Sequence, residues 1–335
     1  CLVAPDSAAD MEARARGATL YQPDGTLPMM PTELVPRLGL GLAADGVGPA
    51  LSFRLDVSPE GSLVAAEVVL SMVRVERLSY EQAELLLATN DSLRLINSLV
   101  QRSRTLRLAA GAIELDWPEA RIRVDTTGNQ PAVDIRLLPP LRSRQLVAEC
   151  MILAGAGAAW YANDRGIPFP YSVQDAAPAP EDEILPEGLP GAYALRRRQQ
   201  PARVSGSPAP HRGLGLPAYG RATSPMRRYV DLLVHQQLRA VATGATPTWD
   251  ETALMERASE AETAARNVRG VERQANRHWT LVWLSQRTWQ GKGVLVDTRG
   301  RRGLLVCPDI ALETWVNVGD GPTAGMTYDV IVRSV

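Results

Sequence analysis

Apolar and polar positions along the chain recur with two different periods, and the switches between them mark out helices and strands. Ala8 to Arg16 reads as a short helix capped by Asp6 or Ser7 and stopped by Gly17. Ala18 to Pro31 is extended around a Pro-Asp-Gly turn. From Ala50 the period becomes two. Leu51, Phe53, Leu55 and Val57 alternate with polar residues, Ser58 to Gly61 makes a turn, and a second strand runs from Leu63 to Glu76, which predicts an antiparallel hairpin. Ser79 caps a helix over Tyr80 to about Ala88, a further helix covers Asp91 to Ala109, and Ala112 to Leu137 returns to strands. Arg142 to Tyr161 is apolar nearly all round, the pattern of a helix buried on every side.

Proline is dense from Arg165 to Pro217, which reads as a long ordered excursion with one or two short helices. Its acidic run, Glu181, Asp182 and Glu183, has the character of a solvated face, and a basic run follows at Arg196, Arg197 and Arg198. Asp250 caps a long helix, Glu251 to about Trp289, with Met255, Ala258, Ala261, Ala265, Val268, Val271, Ala275, Val282 and Trp283 on its packed side. From Gly291 short strands separated by Gly- and Asp-rich turns have the rhythm of a small five-stranded barrel of the oligonucleotide-binding type, with too few strands to close it.

The stretch Gly213 to Leu238 organises the rest. Met226, Val230, Leu233, Val234 and Leu238 recur at helical spacing, and Thr223 or Ser224 followed by Pro225 predicts the helix start. Arg227 and Arg228 then fall in the first turn, where the helix dipole disfavours cations. Either an anion sits there, held by free N–H groups and two forked guanidiniums, or one arginine simply pairs with Asp231 on the same helix. The glycines upstream, Gly213, Gly215 and Gly220, would let backbone approach a ligand closely.

Composition narrows the function classes. A chain of 335 residues can bury one large core and carry a second, smaller domain. With 45% apolar and 22% charged residues it falls among ordinary soluble globular proteins. A net charge of -1 excludes nucleic-acid binding through bulk positive charge, so an anion site must come from local clusters of arginine, which far outnumbers lysine. Cys1, Cys150 and Cys307 are far apart and odd in number, which fits free thiols in a reducing, cytoplasmic setting and neither a disulfide scaffold nor a zinc site. The longest apolar run, Leu146 to Ala162, is short for a membrane span and contains Glu149. The first residue is a cysteine and the last ones read as a strand, so both ends are expected to be cut.

Three further side chains invite attention. Tyr21 stands alone in its loop, as a packing residue or a ligand contact. Glu149 lies in the middle of the apolar helix, where a carboxylate needs a partner: a structural arginine, or a ligand or catalytic group. Glu272 lies beside Val268, Val271 and Ala275 and needs a cation, for which Arg227 is a candidate.

Over most of Cys1 to Trp289 the chain resembles the 3′→5′ exoribonucleases of the ribonuclease II / ribonuclease R type, the RNB-domain family. Thr223-Ser-Pro-Met-Arg-Arg-Tyr-Val-Asp231 with His235 fits that family's TSPxRRYxDLxxH pattern. Gly213 to Tyr219, the Tyr-x-Pro loop at Tyr21, the Pro-Met-x-Pro-x-Glu-Leu run from Pro28 to Leu34 and the Arg-Leu-Ser-Tyr segment ending at Tyr80 fit in order and spacing. The resemblance implies an α+β fold, with mixed and antiparallel sheets packed with long helices around an RNA channel over residues 1–290 and a partial S1-type barrel over 291–335. It implies a processive, monomeric enzyme that takes single-stranded RNA 3′ end first and releases nucleoside 5′-monophosphates with the help of two divalent metals, Mg2+ in the implied scheme. Tyr21 would stack on terminal nucleotides, and Tyr80 and Glu149 would grip the 3′-terminal ribose. Arg227 would hold the scissile phosphate and stabilise transition-state charge, with Glu272 placing it. Ser224, Arg228 and Tyr219 would also contact substrate.

Two departures stand out. The family's metal-binding aspartate cluster lies upstream of the first residue here, Asp125 and Asp134 are isolated strand residues, and the run at Glu181 shows no fixed geometry. The family's RNA-clamping aromatic near Ile113 to Trp117 is replaced by Glu114, with Trp117 nearby. The alternatives are a catalytically inactive RNA-binding or regulatory protein of the same fold, and a phosphate-binding domain without RNA specificity.

Overall fold

The computed structural model describes residues 2–42, 46–176, 185–319 and 321–333; Cys1, the acidic run Glu181, Asp182 and Glu183, and Val335 lie outside them. Ser7 caps helix α1 (Ala8–Arg16) by accepting the Asp10 N–H, and Gly17 ends it. A small hairpin, β1 (Leu20–Gln22) and β2 (Gly25–Leu27), and the short helix α2 (Val35–Leu38) follow. The expected long hairpin is formed by β3 (Val47–Val57) and β4 (Leu63–Arg74), in antiparallel register from Val47↔Arg74 to Val57↔Leu63. Ser79 and Gln82 close a capping box at the start of α3 (Tyr80–Leu86), and Asn90 caps α4 (Asp91–Ala109). Strands β5 (Ala120–Asp125) and β6 (Ala132–Leu137) pair, but the chain from Ala112 is not strand. Its amides are used elsewhere: Ala112 N–H donates to the Arg107 carbonyl and Ile113 N–H to the Gly213 carbonyl.

Helix α5 (Arg142–Asp164) is enclosed on all sides only over Gly155–Ala159, with Tyr161 and Ala162 buried beyond; nearer its start Val147 is exposed. Small residues explain the difference. A Cβ at Gly155 would collide with the Tyr219 ring, and one at Gly157 with Leu55 of the hairpin. The proline-dense excursion contains β7 (Tyr171–Val173), α6 (Leu189–Arg198) and β8 (Arg203–Ser205), which pairs with β7, and then a 3-10 turn at Arg212–Leu214. Helices α7 (Tyr229–Ala242) and α8 (Glu251–Ser285) follow, the second capped by Asp250. Strands β9 (Trp289–Arg299), β10 (Arg302–Cys307), β11 (Leu312–Asn317) and β12 (Thr327–Val332) form an open antiparallel sheet in the order β11-β10-β9-β12. The α+β class expected from the sequence is what the chain adopts.

Helix α7 is the centre of the packing. Val234 and Leu238 enter a core shared with β3, β4, α5 and the Phe169–Val173 segment. Tyr229, Val230, Leu232 and Leu233 enter a second core with α1, α8, Met29 and Met30. Each large aliphatic side chain buried in this way stabilises the fold by about 1.5–3 kcal/mol relative to exposure. Wedged between two cores, α7 tolerates little displacement.

Two boundaries differ from expectation. Helix α7 begins at Tyr229 and not at Pro225. The Ser224 carbonyl accepts both the Arg227 and Arg228 N–H groups, closing a turn over Pro225–Arg227, and Arg228 is extended at φ -142° because it bridges to Ala18. Arg227 and Arg228 therefore precede the helix, and the acid in its first turn is Asp231. Helix α8 stops at Ser285 because Trp289 opens β9 opposite Val332, and Val271 on its expected packed side is 42% exposed. The four-stranded sheet docks on α6 through two Arg196–Glu313 bonds of 2.7 Å and an Arg197–Asp297 bond of 3.0 Å. Among the described residues no helix is long and apolar enough to cross a membrane.

Candidate active site

The site is built where three segments meet. Gly17 turns back at φ 69°, and its backbone lies so close to α8 that a Cβ there would sit 2.6 Å from the Ala261 carbonyl and 2.8 Å from the Ala264 Cβ. This lets the chain after α1 run against the turn before α7. Tyr229 N–H donates to the Gly17 carbonyl at 2.9 Å, Thr19 N–H donates to the Arg227 carbonyl at 3.0 Å, and Ala18 bridges Arg228. Beneath this tie the fully buried Asp10 accepts from the Tyr229 hydroxyl at 3.2 Å and from Gln236 Nε2 at 2.8 Å, locking α1 to α7. Burial, reinforced by that carboxylate, pushes the Tyr229 phenol up to about 12, so it stays a donor. Tyr21 follows two residues after the tie, and its N–H donates to Glu272 Oε1 of α8 at 2.8 Å.

A polar cavity of about 550 Å³ opens over this junction, lined by Tyr21, Tyr219, the arginines 221, 227, 228 and 269, and the α8 carboxylates Glu262 and Glu272. Two of the arginines are neutralised: Arg221 donates to Glu262 at 2.6 Å, and Arg228 to Asp231 Oδ1 at 2.6 Å. Asp231 is fully buried and also accepts the Ser224 N–H at 2.8 Å. Arg227 is exposed, and its guanidinium has no hydrogen-bond or ion-pair partner among the described residues. Of the two arginines the sequence left open, Arg228 makes the helix-end pair and Arg227 is the free cation. Glu272 makes no ion pair with Arg227; its Oε1 accepts the Tyr21 amide. Burial raises the Tyr219 phenol and lowers His211, whose ring meets Tyr219 edge-on at 5.5 Å, so both are neutral near pH 7.

A larger apolar cavity, about 900 Å³, lies on the other side, against Phe53 and Met72 of the long hairpin, Met30, and His235 of α7. Ser224 lines it; Thr19, Tyr21 and Arg227 line both cavities and so stand at their boundary. His235 Nε2 lies 2.6 Å from the Ala222 carbonyl and must carry the proton there. Burial pushes its pKa down to about 4.

Tyr80 and Glu149 line neither of these two cavities. The Tyr80 ring lies under the Arg144 guanidinium at 4.4 Å. Glu149 is 3% exposed, and both its oxygens accept from Arg107 Nη2, at 2.5 and 2.6 Å, while Arg107 Nη1 donates to the Leu214 carbonyl at 2.8 Å. Glu149 is thus held by Arg107 in a buried ion pair. Sequence reading missed Arg107, although Val100, Ser103 and Arg107 are the buried residues of α4 at helical spacing. It also missed Arg221, Glu262 and Arg269. At the expected clamp, Glu114 is held by Arg104, and Trp117 lies beneath Arg196 at 4.1 Å.

Among the described residues no group of three or more His, Cys, Asp or Glu side chains could hold a metal ion. The cavity's acids are engaged as described, Asp134 pairs with Arg136, and Asp125 accepts from Thr127. These residues do not fit a two-metal centre.

A helical and sheeted domain with an arginine-lined cavity at the Thr-Ser-Pro-Met-Arg-Arg-Tyr turn defines the class: the chain belongs to the RNB domain family, whose model matches residues 1–185 and 191–244. It is 34% identical over 325 residues to an uncharacterized ribonuclease of Synechocystis sp., covering 93% of this chain and 48% of that protein. It is 28% identical over 351 residues to the chloroplastic/mitochondrial ribonuclease II of Arabidopsis thaliana, covering 99% and 43%. The chain thus spans about half the length of the curated relatives it matches. Its fold is shared with the apo form of Mycoplasma genitalium RNase R at a TM-score of 0.80 and 19% identity, over 94% of this chain and 57% of that one. A yeast pseudonuclease shares it at a TM-score of 0.72 and 16% identity, over 94% and 44%.

Two stability predictions follow from the buried charges. Glu149→Ala strands the Arg107 cation and is expected to cost roughly 3–5 kcal/mol in urea unfolding, with most of it recovered when Arg107→Met and Glu149→Leu are combined; an unchanged midpoint for the single variant contradicts the pairing. His235, near 6.5 when unfolded and about 4 when folded, gains a proton in the unfolded chain first as pH falls. Its contribution is intact above the unfolded value and is lost on the way down to the folded one, with His211 acting in the same direction. Between pH 7.5 and 5 the wild type should lose about 2 kcal/mol more than His235→Gln in urea unfolding, from that difference in proton affinity.

Proposed function

We propose that this chain forms the RNA-handling domain of a 3′→5′ exoribonuclease that draws single-stranded RNA in by its 3′ end and releases nucleoside 5′-monophosphates processively. The observation that carries the proposal is Arg227, an exposed guanidinium with no partner among the described residues, tied through its backbone to the Tyr21 loop in a polar cavity. Its forked N–H donors match the non-bridging oxygens of a phosphodiester. Hydrolysis concentrates negative charge on those oxygens, so a cation fixed before the reaction stabilises the transition state more than the bound substrate.

The surrounding groups support that role. Tyr21, 48% exposed, offers a ring on which a base can stack. Glu272 positions Tyr21 by holding its amide, and the neutral Tyr219 phenol supplies a donor. Glu149 enters as a positioning group that holds Arg107 and, through it, the Leu214 loop leading to the site. Relatives named ribonuclease II and exoribonuclease 2, and an RNase R structure containing ribose-methylated single-stranded RNA with a TM-score of 0.79, support the substrate class. Divalent metal, Mg2+ foremost, belongs to this reading, but the described residues provide no ligand set for it. The four-stranded sheet is read as the first part of an S1-type barrel. A second reading, a catalytically inactive RNA-binding protein, draws on the fold shared with a pseudonuclease.

The test uses full-length protein and RNA with an unpaired 3′ end in Mg2+. Mononucleotide release is expected, and Arg227→Ala is expected to lower kcat by about 100- to 1000-fold while raising the Kd for RNA less than about tenfold. Equal losses in rate and affinity remove the transition-state role. RNA binding without product release selects the second reading.

A further inference from the structure

The polar cavity presents two guanidiniums that no side-chain acid pairs among the described residues. Arg221 and Arg228 are neutralised by Glu262 and Asp231, and Arg227 has been assigned above. The fourth arginine, Arg269, lies on α8 three residues before Glu272 and seven after Glu262, so the three share the helix face that lines the cavity. Its guanidinium is exposed and has no hydrogen-bond or ion-pair partner among the described residues, because the neighbouring Glu272 holds the Tyr21 amide.

Its place on α8 is electrostatically poor by itself. Arg266 lies three residues before it and Arg273 four after, against one acid, Glu272, three after, so like-charge neighbours outnumber opposite ones along the helix. An anion in the cavity removes that penalty. Arg227 and Arg269 also come from different walls, the turn before α7 and the long helix, and a cavity of about 550 Å³ is larger than a single phosphate fills.

We infer that Arg269 binds a second backbone phosphate of the same RNA strand, next to the phosphate held by Arg227. The inference rests on the proposed function, and it makes the cavity a reader of at least two successive phosphates in an oligoribonucleotide, not a mononucleotide pocket. Arg269 is then a substrate-binding residue that sets affinity for the strand, while Arg227 acts on the reacting phosphate.

The experiment is equilibrium binding of a labelled single-stranded oligoribonucleotide to the full-length protein, with a chelator present to prevent hydrolysis and the salt concentration varied. Arg269→Gln should raise Kd about three- to tenfold and flatten the plot of log Kd against log salt by about 0.7, the share of one single-strand phosphate contact. Affinity for a nucleoside 5′-monophosphate should stay at the wild-type value. The thermal midpoint should be unchanged, since the side chain makes no bond that folding needs. A wild-type salt slope in the variant overturns the inference. So does a parallel loss of mononucleotide affinity, which would put both arginines on one phosphate. Failure of the wild type itself to bind RNA is separate and rejects the proposed function as well.

Discussion

The site depends on a short piece of antiparallel backbone, the exchange in which Tyr229 N–H donates to Gly17 and Thr19 N–H donates to Arg227. These two bonds join residues more than 200 positions apart. They place an aromatic loop and a guanidinium without a partner among the described residues at the boundary of the same two cavities. The exchange forms only because Gly17 can take a positive φ against α8 with no Cβ in the way. Asp10 secures it from below, since a buried carboxylate must be satisfied and its hydrogen bonds reach the Tyr229 hydroxyl and Gln236 on α7.

Rigidity comes from the same helix. Helix α7 is packed from both sides, by the hairpin and α5 on one and by α1 and α8 on the other. Well-packed interiors resist small displacements, so the turn that precedes α7 is held at a defined distance from α8. Electrostatics then select the working group. Asp231 pairs with Arg228 and Glu262 with Arg221, while Glu272 accepts the neutral Tyr21 amide, so among the described residues Arg227 and Arg269 have no ion-pair partner and the cavity keeps a net positive charge. A site that binds a polyanion needs such a surplus, and the chain as a whole, at net charge -1, does not supply one.

Local features were legible in the sequence. The caps at Ser7, Ser79 and Asp250 and the alternation of the long hairpin depend on neighbours a few residues away, and each formed where expected. The start of α7 was not legible, because Ser224-Pro225 is a good local helix start and is overridden by the pairing of Arg228 with Ala18, a distant contact. The partners of the two conspicuous carboxylates escaped for the same reason. Glu272 is satisfied by a backbone amide, which has no signature in the residue type, and Glu149 by Arg107, which lies on a separate helix 42 residues away. The motif identified the turn and the resemblance assigned its Arg227 to the phosphate; the fold adds that Arg228 is paired with Asp231 while the Arg227 guanidinium has no partner among the described residues.

The central claim is that Arg227 receives an RNA phosphate at this junction. It is tested most directly by a structure of the full-length protein with a single-stranded, ribose-methylated oligoribonucleotide. The account predicts a backbone phosphate within hydrogen-bond reach of the Arg227 guanidinium, with the strand passing Tyr21 and Arg269. An RNA strand that instead follows the exposed face of the β9–β12 sheet or the apolar cavity, leaving Arg227 in solvent, would contradict it.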